Sequence, residues 1–142
     1  MIIETEDEKN VQVRLVGDSR LKSIGRLEVL YRGIWGTVCN YGFGYSDANV
    51  VCRQLGFSRA YDYHANYNNG SNPIWLSNVQ CTGYESSIAV CRHDGWGLNN
   101  CTHNQGVSIT CYDGKQSLHV RVNLLNGNIA RKCFFWFLKA CN

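Results

Sequence analysis

Between residues 11 and 39 apolar and polar positions alternate in short runs. In VQVRLV, Val11, Val13 and Leu15 fall on one face and Gln12, Arg14 and Val16 on the other, the period of a half-buried strand. A polar turn runs from Asp18 to Gly25. The alternation resumes over Arg26–Tyr31, with Leu27, Val29 and Tyr31 inward and Arg26, Glu28 and Arg32 outward. Gly33 permits a tight hairpin into Ile34–Cys39. Three strands on short turns predict an antiparallel meander.

At Ser46 the period changes. Ala48, Val51, Cys52 and Leu55 are spaced i, i+3, i+4, i+7, which predicts a helix of two to three turns. Ser46 is the expected N-cap, Asp47 suits the first turn, and Gly56 closes the helix in a left-handed conformation. Cys52 then lies on the buried face, placed to tie helix to sheet. Residues 61–73, YDYHANYNNGSNP, read as a long polar surface loop. Ile74–Val79 and Val107–Cys111 read as further strands, and Cys81 to Cys101 is turn-rich. After Asp113 the texture changes to a tail containing the aromatic run FFWF.

The 142 residues suit one domain: an acidic tail (1–10), a body (11–113) and a basic tail of unassigned status (114–142). Glu4, Glu6, Asp7 and Glu8 face only Lys9 in the first tail. Lys115, Arg121, Arg131, Lys132 and Lys139 have no acid beside them in the second. The near-neutral body between them lacks the basic stripe of a nucleic-acid binder. Eight cysteines without a CxxC pair point to disulfides in an oxidising compartment rather than to zinc or redox chemistry. The start, MIIETEDEKN, is not a signal peptide, and no window has the length of a membrane helix. The expectation is therefore a piece of a longer secreted or membrane protein, or an incomplete gene model, extracellular and reaching a membrane only through flanking regions.

Laid out in order, VRLVGDS (13–19), GRLEVLYRGIWGTVC (25–39), SDANVVCRQLGF (46–57), PIWLSNVQCTGYESSIAVC (73–91) and GWGLNNCTH (95–103) resemble a scavenger receptor cysteine-rich (SRCR) domain. The resemblance implies an α+β fold, a curved six-stranded, mostly antiparallel sheet cradling one helix. It also implies three disulfides: Cys39–Cys101, Cys52–Cys111 and Cys81–Cys91. The family's optional fourth bridge would fall at Leu21 and Phe57, so this is the six-cysteine form, with Phe57 filling that space by packing. Cys133 and Cys141 remain unassigned.

The family's ligand chemistry is the next expectation. Its members often hold calcium in an acidic cluster, and the corresponding positions here are Asn40, Tyr41 and Gln105, with Gly106 beside them. Three neutral residues do not replace the anionic oxygens calcium requires, so the reading is a lost site: no metal and no cofactor. A second family mode is a basic face for polyanions, for which Arg26 and Arg32 are candidates, with Arg14, Arg20 and Lys22 nearby. The contact surface is expected to be that face with the tyrosine-rich loop (Tyr61, Tyr63 and Tyr67). Asn69-Gly-Ser71 is a glycosylation acceptor pattern in the expected surface loop, and Asn100-Cys-Thr102 a poorly placed one. His93, His103, Asp94 and Cys101 suggest a thiol enzyme only if a bridged cysteine were free, and GxSxG and HExxH are absent. The expectation is a non-catalytic extracellular module for polyanionic, microbial or protein ligands. The alternative is an accessory domain of a larger extracellular enzyme, a serine protease or lysyl-oxidase-like protein.

Overall fold

The computed structural model describes residues 10–17, 20–67 and 71–114, the side chains of Asn66 and Tyr67 excepted. The acidic tail before Asn10, Asn69, and the basic tail from Lys115 onward, with Cys133 and Cys141, lie outside the described residues. The strands are β1 (Val13–Val16), β2 (Ile24–Tyr31), β3 (Ile34–Val38), β4 (Ala60–Tyr67), β5 (Ile74–Leu76) and β6 (Gly106–Cys111). One helix, α1 (Tyr45–Gln54), and one 3-10 turn (Ile88–Val90) complete the described elements.

The sheet is organised around β2. It pairs antiparallel with β1 through residues 26–29, with β3 through 28–31 and with β6 through 24–26. Arg26 has Val16 and Ser108 as partners, and Glu28 has Arg14 and Thr37. Hence β3 and β6 share the edge opposite β1, one on each half of β2, and the sheet must curl to accommodate both. β4 joins β6 antiparallel, while β5 joins β3 in parallel, so the sheet is mixed. The β2–β3 hairpin turns on Arg32 and Gly33, with φ of 51° and 80°. Positive φ at both central residues is the turn whose twist suits a two-residue hairpin, and glycine takes it without strain.

The helix fills the concave side. Leu27, Val29, Val38, Ala48, Val51, Leu76, Ile88 and Ile109 form its contact with the sheet and the 3-10 turn, all fully buried. Cys52, also fully buried, bonds to Cys111 of β6. Cys39 at the end of β3 bonds to Cys101, and Cys81 to Cys91. Side chains add further ties. Gln54 donates to Val11 O at 2.7 Å and accepts from Ile88 N at 3.0 Å. Asp47 accepts from Cys81 N at 2.6 Å and Gly44 N at 2.8 Å. Burial raises the Asp47 pKa and these two N–H bonds oppose the rise.

Four sequence expectations change. The helix starts earlier: Gly44 is the N-cap, and Asp47, at the third helical position, bonds back to its N–H, so Ser46 lies inside the first turn. Gly56 does end the helix, at φ 97°, with Phe57 N bonded to Cys52 O. The stretch from Tyr61 to Tyr67 is strand rather than loop. The strand after Ile74 stops at Leu76, and Asn78 turns at φ 58°. Glu28, expected outward, is fully buried.

The disulfide loops differ in length, with separations of 59 residues for Cys52–Cys111 and 10 for Cys81–Cys91. Loop-closure entropy then assigns them about 4 and about 3 kcal/mol of unfolded-state restriction. We expect C52A/C111A to lower the urea unfolding free energy by about 4 kcal/mol. A loss below about 1 kcal/mol would show that packing alone holds the helix.

Candidate functional site

The convex face of the sheet carries a polar layer. Glu28 lies on β2, directly opposite Arg14 of β1 and two residues along from Arg26, so all three side chains emerge together. Arg14 donates from Nε and Nη2 to Glu28 Oε1 at 2.9 and 2.7 Å. Arg26 donates from the same pair of atoms to Oε2 at 3.0 and 2.8 Å, and Asn72 Nδ2 adds a bond to Oε2 at 2.9 Å. The Arg14 guanidinium also lies over the Trp35 ring, 3.9 Å from its centroid. A fully buried carboxylate is thus satisfied by two forked cations and an amide.

This arrangement alters the expected anion face. Arg26 shares a counter-ion with Arg14. Arg32 sits in the hairpin turn over the Tyr31 ring, six residues and about 20 Å along the strand from Arg26. The structure does not bring Arg26 and Arg32 together.

The positions that correspond to the family's calcium cluster do meet. Asn40 N donates to Gln105 O at 2.7 Å, and the Gln105 amide reaches Asn40 Oδ1 at 3.4 Å. Gln105 Oε1 accepts from Thr102 N at 2.8 Å. Tyr41, Gln105, Ser77, Asn99 and Asn100 line an open cleft of about 360 Å³ with Asp94 as its one lining carboxylate, and Asn78 donates to that carboxylate at 3.1 Å. The side-chain oxygens of Asn40, Asn99 and Gln105 accept from protein donors, and none of the amide oxygens carries a charge. This set does not fit calcium, which takes six to eight hard oxygens, several of them anionic.

The tyrosines separate by role. Tyr61 is exposed, whereas Tyr63 is half-buried with its ring against Phe43 and Tyr45 at 5.8 and 4.9 Å. Two register shifts in β4, between Ala60 and Asp62 and between His64 and Tyr67, set this alternation. Tyr45 is hydrogen-bonded to Asp62 at 3.0 Å, which raises the pKa of its hydroxyl. The side chain of Tyr67 lies outside the described residues. Asn100 is exposed, next to the bridged Cys101.

The enzyme and zinc alternatives meet the same obstacle, since the sulfurs of Cys101, Cys81 and Cys91 are all in disulfides. His93 accepts from Gly95 N at 3.0 Å and stands edge-on to Trp96, and His103 bonds Asn72 O at 2.9 Å. Both serve loop structure. Glu85 accepts N–H bonds from Thr82 and Gly83, which hold its pKa down to about 2 and close the short disulfide loop. Sequence reading missed the Glu28–Asn72 bond and the stack of Tyr31 on Trp96, with centroids 4.0 Å apart. The GWG triplet was the only available hint of the latter.

Comparison with known proteins now bears on these features. The family model for the scavenger receptor cysteine-rich domain matches residues 17–112. The chain belongs to the SRCR family. It is 46% identical over 105 residues to human lysyl oxidase homolog 2, covering 72% of this chain and 14% of that protein. Bovine lysyl oxidase homolog 4 is 48% identical over 103 residues, covering 71% and 14%. The dimeric form of the SRCR domain of mouse MARCO superposes with a TM-score of 0.61 at 41% identity, covering 70% of this chain and 94% of that one. The third SRCR domain of murine neurotrypsin gives 0.63 at 38%, covering 71% and 95%. The SRCR domain is a non-catalytic, extracellular interaction module, and this one has the six-cysteine form with three disulfides. No helix among the described residues is long and apolar enough to cross a membrane.

Two outcomes follow from this geometry. Glu28→Gln leaves two guanidiniums without their shared charge and should cost about 3 kcal/mol in urea unfolding. A change under about 1 kcal/mol would mean that the layer is solvated rather than buried. Calorimetric titration with calcium into the low-millimolar range, on the order of extracellular-module affinities, should show heats of dilution alone. A saturable isotherm would overturn the reading of Asn40, Tyr41 and Gln105.

Proposed function

We propose that this chain is an accessory binding module of a larger extracellular protein of the lysyl oxidase homolog type, with a protein surface as its partner. One observation carries the reading: 72% of the chain aligns with human lysyl oxidase homolog 2, yet only 14% of that protein is spanned. A module of this proportion guides or positions and leaves chemistry to other parts of the polypeptide. The exposed tyrosines Tyr41, Tyr45, Tyr61 and Tyr84 suit the task, because a tyrosine offers a large amphipathic contact for little lost side-chain freedom.

The other reading is a scavenger-type receptor domain for polyanionic or microbial ligands. Membership of the scavenger receptor cysteine-rich family favours it. It needs unpaired cations on one face, and the pairing of Arg14 and Arg26 with Glu28 weakens that support. Contact through side chains, without a bridging ion, accords with neutral Asn40, Tyr41 and Gln105.

Sequencing the transcript on both sides of this reading frame tests the choice. An oxidase domain in frame with the chain is the expected result. A collagen-like stalk or membrane-spanning segment in its place would overturn the accessory reading in favour of a receptor.

A further inference from the structure

Outside β5 lies a shallow cleft of about 460 Å³ that none of the preceding functions uses. It is lined by residues 71–75 together with Gly97, Asn99 and His103. No Asp, Glu, Lys or Arg lines it.

Trp75 is held as a fixed plate. Its Nε1 donates to Ile34 O at 2.8 Å, and the Tyr31 ring abuts it edge-on with centroids 5.0 Å apart. Gly36 lies beneath, so close that a Cβ there would stand 2.4 Å from Cδ1 of the indole. At Gly97 a Cβ would stand 3.7 and 3.8 Å from Cζ3 and Cε3, in contact with the benzo ring. Glycine at 97, which its φ of 72° also favours, therefore keeps a Cβ off that part of the half-buried ring, which lines the cleft.

Hydrogen-bonding atoms around the plate remain available among the described residues. The Asn72 amide nitrogen is spent on Glu28, leaving Oδ1. His103 Nε2 donates to the backbone oxygen of Asn72, which can only accept, so the neutral ring keeps Nδ1 as an acceptor. Ser71 adds an exposed hydroxyl. Asn99 is committed on both sides, to Ile74 O and Cys101 N, and braces the wall.

We propose that this cleft binds one neutral saccharide unit of a glycan, its C–H face on the benzo-ring face of Trp75 and its hydroxyls on Asn72 Oδ1, Ser71 Oγ and His103 Nδ1. Polarised C–H groups match the negative face of an indole. Hydroxyls donate to the two acceptors and pair with the serine in either sense. A charged ligand finds no counter-charge here, and a purely apolar one would strip water from unpaired polar atoms. The inference rests on the cleft alone and holds for either parent architecture.

The test uses the full 142-residue chain, produced without N-glycans so that its own sugars do not compete. Methyl β-galactoside, methyl α-mannoside and methyl β-N-acetylglucosaminide are titrated while the Trp75 Nε1–H and Gly97 N–H signals are followed by NMR. At least one glycoside should shift both signals saturably, with Kd on the order of 1–10 mM. His103→Ala should weaken that binding about threefold or more. Ser71→Ala, at an exposed position, should weaken it about twofold or more and provides a second reading if His103→Ala disturbs the loop. The proposal is overturned if none of the glycosides shifts these signals, if both variants bind unchanged, or if anionic sialic acid binds this cleft more tightly than every neutral glycoside.

Discussion

A helix of ten residues does not hold itself together in water, and this domain is built around how α1 is tied down. Each tie reaches a different part of the chain. Cys52 fastens the helix to β6, and Gln54 fastens it to Val11 ahead of β1 and to the 3-10 turn at Ile88. Asp47 holds the backbone of Cys81, where the short disulfide loop begins. Take the helix away and the N-terminal strand, the last strand and the long 81–101 connection lose their common contact. Little regular structure in that connection is needed, since its ends and middle are each fixed to something rigid.

The helix covers one face of a curled sheet, and the other face is closed by charge rather than by oil. Arg14, Arg26 and Asn72 surround Glu28 so completely that it has no exposed surface, with Trp35 flanking the group. Breaking such a layer is costly because a single removed partner strands the others. The layer also changes what the surface offers. Two arginines that look available to a polyanion are already engaged, and the 71–73 segment beside the Trp75 cleft is anchored through Asn72.

The first three strands were legible because their alternation is regular, and α1 because its apolar spacing and Gly56 agree. Alternation tells which face a residue takes, not how that face is covered. Glu28 was therefore assigned to the correct side and the wrong environment. β4 escaped notice for a different reason: its two register shifts break the period, and its polar residues resemble a loop. Gly44 was overlooked as a cap since it has no side chain, and the bond back to it comes from Asp47. Disulfide partners came from resemblance, because six cysteines alone leave many pairings open. The meeting of Asn40 with Gln105, 65 residues apart, and of Trp75 with Gly97 depends on topology that no local pattern encodes.

The irregularity of β4 has a bearing on crowded assemblies. It is an edge of the sheet, and a straight edge strand is a template on which a second chain can add itself. Two interruptions within eight residues break the row of backbone donors and acceptors that such an addition would copy. Proteins that string these domains together, as a third SRCR domain implies for neurotrypsin, keep several sheets of one fold at high local concentration. An edge spoiled in this way lets neighbouring copies lie side by side without zipping into one continuous sheet.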